Sequence, residues 1–313
     1  MQIRWKYLFI LLILINALVW IALFTYPDKN LRLIACDVGR GDAILAIYGK
    51  VQILTDGGPD SKVLECLSRH LPFYDRKIEG IIISHPQKDH FGGLIDVIKR
   101  YDVDFIIATP LDSGSQEWRV LKSLVGSKGV KVINPQSGQK LRLGLIYLDI
   151  LWPQKETFLA SENSMLAPAS SVLSGQASQE VNGVLGAFTS KRDPNDFSVV
   201  SILSFKDFDA LLTGDISPGI SNTIAEELTL SGSRRVDYLK VPHHGSKNGL
   251  TKGLVDATNP EVAVISSGKN NSYGHPHKEI LKILGDKDIK ILRTDELGDV
   301  VIESNGKNVW VRK

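Results

Sequence analysis

The run His85-Pro86-Gln87-Lys88-Asp89-His90 sets two imidazoles and a carboxylate within six residues. Imidazole nitrogens and carboxylate oxygens are ordinary donors to a divalent cation, and that density of them suits a metal better than an apolar core. Six of the seven histidines form three close pairs: His85 with His90, His243 with His244, and His275 with His277. His70 is the stray. Asp37, Asp56, Asp89 and Asp215 stand in the same kind of place, beside glycine or other small residues. Donors carried on loops at the ends of several strands are how catalytic metal sites are assembled, because a rigid sheet supports them.

The elements that must position these residues follow from the apolar pattern. Residues 80–83 read as a buried strand of branched residues. It stops at Ser84-His85-Pro86, since Pro86 cannot donate to a ladder and drives His85 out of the helical region. Gly92-Gly93 and the spacing of Leu94, Val97 and Ile98 open a helix, so His85, Gln87, Asp89 and His90 are expected in one tight loop. Strands at 31–36, 43–48 and 51–55 precede it, ending on Asp37-Val38-Gly39-Arg40-Gly41-Asp42 and on Asp56-Gly57-Gly58. A helix at 61–70 starts from Asp60 or Ser61 as its cap. Strands at 103–108, 130–133, 140–143 and 145–151, with a helix at 116–125, follow. Further on, strands at 197–205 and 209–212 run into Thr213-Gly214-Asp215, and 236–241 into Pro242-His243-His244. The strand at 261–266 leads to Tyr273-Gly274-His275-Pro276-His277. Helices at 216–230 and 278–284 and strands at 289–293, 299–303 and 308–311 complete the pattern. Residues 154–194 are rich in Ser, Ala, Asn and Gly without a sustained period, and read as a flexible insertion near the site, with a helix over 171–185 as the alternative.

The 313 residues suffice for one large core, and a net charge of +2 excludes a strong overall basic field. Cys36 and Cys66 match no thiolate metal spacing and read as buried thiols, a single disulfide being the alternative. Residues 7–26 are interrupted only by Asn16 and Thr25, which is about the 20 apolar residues a membrane span needs. No convincing cleavage site follows, so residues 1–30 read as an uncleaved anchor rather than a secretory signal. The remainder, residues 31–313, reads as one domain outside the cytoplasm.

Taken together, these strand-end pieces resemble the metallo-β-lactamase superfamily, whose usual metal motif is His-x-His-x-Asp-His. The resemblance is closer to its competence branch, the β-lactamase-like domain of ComEC proteins. It rests on Asp37-Val-Gly-Arg-Gly-Asp42, Leu54-Thr-Asp56-Gly-Gly, Asn195-Asp196-Phe-Ser198, Thr213-Gly-Asp215, Pro242-His243-His244-Gly-Ser246 and Tyr273-Gly-His275-Pro276, in the family's order. The fold this implies is α/β, a four-layer αββα sandwich, here preceded by one transmembrane helix. The multi-pass channel of ComEC has no counterpart in this chain.

The resemblance also implies a site. It assigns His85 to one metal, and Asp89, His90 and one of His243 and His244 to another, with His244 preferred and Asp215 bridging. Gln87 stands where the second histidine belongs, and Asn195-Asp196 where hydrolases of the wider family place a third. Two divalent ions, Zn or Mn, are therefore expected, the one beside Gln87 and Asp196 held loosely. Asp89 and His275 are the candidates for a part in the reaction, His275 touching a phosphate or protonating a leaving group. His243, Ser246, Asn195 and Lys247 are the candidate substrate contacts. Asp37, Asp42 and Asp56 are expected to brace the ligand loops, with plain turn formation beside glycine as the alternative for Asp37 and Asp56. Lys240, Lys247 and Lys252 are either phosphate-binding cations or solvated surface residues. The implied protein is a membrane-anchored metal-dependent hydrolase, a phosphodiesterase or DNase using a metal-activated hydroxide, with DNA as substrate and a separate channel protein of DNA uptake as partner. The alternatives are hydrolysis of a small ester such as choline phosphate or a lactam, and a catalytically impaired metal-binding module that binds DNA or a partner.

Overall fold

Runs of Ile, Leu and Val build the strands, and the computed structural model, which describes residues 5–25, 29–159, 183–232, 234–269 and 271–312, orders them into two sheets. The first contains β1 (Leu31–Ala35), β2 (Ile44–Tyr48), β3 (Val51–Thr55), β4 (Lys77–Ile83), β5 (Asp102–Ala108) and β6 (Lys131–Ile133). The second contains β7 (Lys140–Leu143), β8 (Ile146–Trp152), β9 (Val200–Phe205), β10 (Phe208–Leu212), β11 (Tyr238–Lys240), β12 (Val262–Ile265) and β13 (Lys290–Arg293). The chain then returns to the first sheet with β14 (Val300–Ser304) and β15 (Val309–Arg312). The spatial orders are β15-β14-β1-β2-β3-β4-β5-β6 and β13-β12-β11-β10-β9-β8-β7. In each sheet antiparallel pairing on one side gives way to parallel pairing on the other, over β3 to β6 and over β10 to β13. Parallel strands end at the same rim, so the loops after β3, β4, β10, β11 and β12 can meet there.

Three apolar layers hold the arrangement. Between the sheets, Leu33, Ile44, Ile53 and Ile82 face Leu148, Leu203, Ala210 and Val264. On the outer face of the first sheet, α2 (Lys62–His70), α4 (Leu94–Arg100) and α5 (Gln116–Lys128) bury Leu67, Val97 and Trp118. On the outer face of the second, α7 (Pro218–Leu230), α8 (Lys252–Thr258) and α9 (Lys278–Gly285) bury Ile224, Leu254 and Leu284. This is the four-layer αββα sandwich that the motif order implied.

Ahead of β1 the helix α1 (Trp5–Thr25) has exposed apolar side chains, among them Trp5, Leu12 and Trp20. Among the described residues no helix is long and apolar enough to cross a membrane.

Several details depart from the sequence reading. Asp89 and His90 are not in an open loop but on a short helical turn, α3 (Lys88–Phe91), which begins immediately after Gln87. The helix α8 and the turn α10 (Thr294–Leu297) were not foreseen; both are too short to show a period. Of the insertion expected at 154–194, residues 160–182 lie outside the described residues, as does most of the alternative helix at 171–185. Its described flanks are ordered. Residues 155–159 form α6 (Lys155–Leu159), Gly183 N–H donates to Val132 O at 2.8 Å, and Phe188 pairs with Leu111. Asn134 grips Val184 from both sides, donating to its carbonyl at 3.0 Å and accepting its N–H at 2.8 Å. Only the Asn134 bonds come from a polar side chain; the others are backbone pairings between segments distant in sequence, and hydrophobic periodicity registers neither.

The cysteines are not thiols. Cys36, just past β1, and Cys66, on α2, are joined in a disulfide with Cα atoms 5.8 Å apart, and no free cysteine remains. Both side chains are fully buried, which the sequence reading foresaw, but it could not see that β1 and α2 meet there. The bond closes a separation of 30 residues, so in the chain-entropy account it stabilises the fold by about 3–4 kcal/mol. Replacing Cys36 by Ser should therefore lower the free energy of unfolding in urea by that amount, and reductant should destabilise the unaltered chain while leaving Cys36→Ser unchanged.

Candidate metal centre

The rim where the parallel strands end collects Asp42, His90, Asp215 and His244, four buried residues whose donor atoms all lie within 4.8 Å of one another. They come from four loops and from both sheets. Asp42 ends the glycine turn after β1, and His90 lies on α3 past β4. Asp215 follows β10 at Thr213-Gly214, and His244 follows β11. Local backbone makes the approach feasible. A β-carbon on Gly41, whose φ is +114°, would collide with the carbonyl oxygen of Asp89, so only glycine lets that turn touch the His90 turn. His243 and His244 adopt left-handed φ of 51° and 55°, and Gly245 at +79° would, with a β-carbon, come within 2.6 Å of Pro276. Left-handed non-glycine residues cost of order 1–3 kcal/mol each, and the packing of the rim sustains two in succession.

Each imidazole is tied back through one nitrogen. Asp56 Oδ2 accepts from His90 Nδ1–H at 2.8 Å. Ser84 gives its N–H and its Oγ–H to Asp56, at 2.8 and 2.7 Å, and its oxygen lies 3.0 Å from His85 Nδ1. His244 Nδ1–H donates to Ser266 O at 3.1 Å. The far nitrogens are left over: Nε2 of His85, His90 and His244 are all buried without a hydrogen bond. Those of His90 and His244 face one oxygen, Asp215 Oδ2, at 3.3 and 3.2 Å. Imidazoles held by Nδ1 with Nε2 converging beside a carboxylate are what a divalent cation requires, so the residues fit the metal that the resemblance implies.

Charge is balanced within the cluster. Lys240, expected on the surface, is instead fully buried, its ammonium paired with Asp42 and 3.4 Å from Asp215 Oδ1. It also donates to Gly214 O at 3.0 Å. The reason is strand alternation: Lys240 shares a face of β11 with Tyr238, which lies between the sheets, while Leu239 and Val241 face the helices. Burial raises the Asp42 and Asp215 carboxyls, but Lys240 and His244 outweigh it at both, with His90 adding to the effect, and hold both well below the usual range. Burial lowers His244, yet Asp215 and Asp42 bring it up to about 9, and Asp215 and Asp56 likewise raise His90. His85, buried beside His90, falls to about 3 and is neutral.

The other expected residues divide. Asp56 braces His90 and Ser84 from behind. Asp89 lines the cavity but stands outside the converging group, its Oδ2 3.4 Å from Arg40 Nε. Gln87 also lines the cavity, which is open to solvent, holds about 70 Å³ and is walled further by His243, Tyr273 and His275. Burial and neighbouring imidazoles lower His275 to about 4, and His243 is lowered too. Asp196 turns away: its carboxylate accepts from Ser217 Oγ and from Arg192 at 3.2 and 3.3 Å. Asn195 is buried, and neither it nor Ser246 nor Lys247 lines the cavity. Lys247 N–H donates to His277 Nδ1 at 3.1 Å. Asp37 accepts from Gly39 N–H at 3.2 Å and makes an ordinary turn, its own N–H going to Asp299. A second group, Cys66, His70 and Asp299, lies close together, but the sulfur is spent in the disulfide.

No protein-family model matches the chain. Over 299 residues, 89% of the chain, it is 25% identical to ComE operon protein 3 of Bacillus subtilis, and over 252 residues, 79% of the chain, 24% identical to Recombination protein 2 of Haemophilus influenzae. The match takes in 34% and 26% of those relatives, so the chain spans about a third or less of their length. Among solved structures, the metallo-β-lactamase fold protein YhfI from Bacillus subtilis superposes with a TM-score of 0.54 over 88% of this chain and 100% of that one, at 12% identity. The fold is thus that of the metallo-β-lactamases.

Two outcomes follow from this electrostatic arrangement. The raised His244 contributes stability in full below pH 6.5 and loses it as pH rises through about 9. Chelator-stripped protein should therefore lose melting temperature from pH 6.5 to 9, while the increment in melting temperature given by added Mn²⁺ grows, because metal and proton compete for the same nitrogen. Removing the Lys240 charge, as in Lys240→Met, should destabilise the stripped protein by about 3–5 kcal/mol in urea unfolding, since Asp42 would be left buried without its partner.

Proposed function

We propose that this chain is a membrane-anchored, metal-dependent hydrolase that cleaves phosphodiesters, with DNA as the substrate. The observation that carries the reading is the pair of imidazoles, His90 and His244, fixed through Nδ1, whose Nε2 atoms make no hydrogen bond and converge on Asp215 beside an open cavity. His90, His244 and Asp215, with Asp42 beside them, would hold one ion firmly. His85 with Gln87 would offer a second, weaker position, for Zn²⁺ or Mn²⁺. A bound ion supplies Lewis acidity toward a phosphoryl oxygen and lowers the pKa of water.

The chain's own residues account for the rest. Lys240 keeps Asp42 and Asp215 ionised inside the sandwich. Arg40 lies at the mouth, where its guanidinium meets a phosphate, and His243 and His275, both lowered toward the neutral form, act there as hydrogen-bonding partners of the ester and its leaving group. Recombination in the name of one similar protein favours DNA over a small ester. A separate channel protein in DNA uptake is the partner this reading implies. The helix α1, apolar on all its described sides, serves as a single membrane anchor, and the disulfide favours an oxidising compartment, outside the cytoplasm, for the domain. One observation supports a second reading, a metal-poor binding module: the Lys240 ammonium neutralises two of the acidic residues without any ion.

The two readings separate in one assay. The full chain in detergent, stripped and then supplied with Mn²⁺, Mg²⁺ or Zn²⁺, is given linear DNA and a chromogenic bis-phosphodiester, beside Asp215→Ala. Metal-dependent cleavage that falls at least about a thousandfold in Asp215→Ala is the expected result. Stoichiometric metal with no cleavage of either substrate would remove the hydrolase and leave the binding module.

A further inference from the structure

Beside the metal-centre cavity lies a second, larger cavity of about 450 Å³ that shares four of its lining residues, Arg40, Gly268, Asn271 and Tyr273. Gly268 lines both. A β-carbon there would come within 3.0 to 3.1 Å of the Gly39 and Arg40 backbone, so the absence of a side chain lets this wall lie against the glycine turn. Asn271 fixes the facing wall, donating to Gly268 O and His275 O at 3.0 and 2.6 Å and accepting from His275 N–H at 2.8 Å.

The charge of this annex is one-sided. Arg40, Lys62 and Lys269 line it against a single carboxylate, Asp37, which is occupied by the Gly39 N–H. Lys62 and Lys269 are exposed, and Lys62 reaches over the Gly39 turn, its Nζ 3.4 Å from where a β-carbon would stand. No ion pair involves either among the described residues. Above them Tyr273 shows 53% of its surface, with the Arg40 guanidinium 4.3 Å from its ring centroid. Cations spaced along a groove with an exposed aromatic face are the two components of single-strand nucleic-acid recognition, the first taking phosphates and the second stacking a base. A mononucleotide or a choline-phosphate ester has no further phosphate to place there.

We infer that the annex is a subsite for the next nucleotide of a single nucleic-acid strand, with Lys62 and Lys269 on its phosphate, Tyr273 under its base, and Arg40 between this phosphate and the one at the metal centre. This rests on reading the adjoining cavity as a phosphodiester site. Arg40 and Tyr273 serve both cavities, so a strand lying over both passes Gly268 in an extended form. A duplex cannot present an unstacked base to Tyr273.

Binding tests this separately from cleavage. A labelled twelve-nucleotide strand is titrated with the full-length protein in EDTA, following fluorescence anisotropy from 50 to 200 mM salt. Lys62→Gln with Lys269→Gln should lower the slope of log affinity against log salt by about 1.4, two phosphate contacts at roughly 0.7 each. Tyr273→Ala should weaken binding about tenfold at an unchanged slope. Removing two distant cations, Lys128→Gln with Lys307→Gln, should alter neither quantity. An unaltered slope in Lys62→Gln/Lys269→Gln, equal loss in the distant pair, no binding by the unaltered protein at 50 mM salt, or tighter binding of a duplex would each overturn the inference. The expected binding without metal-dependent cleavage would sustain the subsite and remove the hydrolase. Cleavage with binding unmoved by these substitutions would do the reverse.

Discussion

Asp215 is buried at the seam of the two sheets, where one carboxylate oxygen faces the Lys240 ammonium and the other faces the Nε2 atoms of His90 and His244. An isolated ionised carboxylate in that position would cost several kcal/mol in lost hydration. It is tolerated because cationic groups from three further elements reach it. β11 brings Lys240, the turn after β11 brings His244, and the turn after β4 brings His90. Asp42 then balances Lys240 and His244 in its turn. The rim of the sandwich is therefore held by mutual neutralisation, and a divalent cation drawn into it would replace protons on His90 and His244.

That balance also explains how the backbone is used. Six loops must reach one small volume, and two of them achieve it at conformational cost. His243 and His244 are left-handed, and Asp56, at φ 60°, is left-handed as well. Gly41 and Gly245 sit where a side chain would collide with Asp89 and Pro276. The regular apolar core a few residues away, Ile82 and Ile53 against Leu212 and Val264, supplies the rigidity that keeps these turns in place. The disulfide adds a covalent tie at the base of the glycine turn, since Cys36 immediately precedes Asp37.

At the mouth the logic changes from buried neutralisation to open attraction. Arg40 is more than half exposed, touches Asp89 on one side and stacks on Tyr273 on the other. It thereby joins the metal-centre cavity to the cationic annex.

Much of this was already legible in the chain. Pro86 and Pro242 stop strands, Gly92-Gly93 and Gly57-Gly58 mark turns, and the pairs His85/His90 and His243/His244 fall where the apolar runs end; these are local signals, set by backbone sterics and side-chain periodicity. They were enough to mark where the strands end and which residues those ends carry, while the sandwich itself was implied by the resemblance of the strand-end pieces to the metallo-β-lactamases. Whether Asp196 or Asp42 belongs to the cluster was not local. Asp196 is drawn off by Arg192 and Ser217, and Asp42 is drawn in by Lys240, partners 198 residues apart in the chain. Lys240 looked like a surface cation, although its alternation with Tyr238 on β11 held the clue. The Cys36–Cys66 bond depended on α2 packing over β1, and the annex on Lys62 and Lys269 meeting across the rim. Sequence determines where strands stop and which chemistry their ends carry. Only the folded chain decides which charges share a volume, because a buried charge takes its partner from whatever element lies nearest in space.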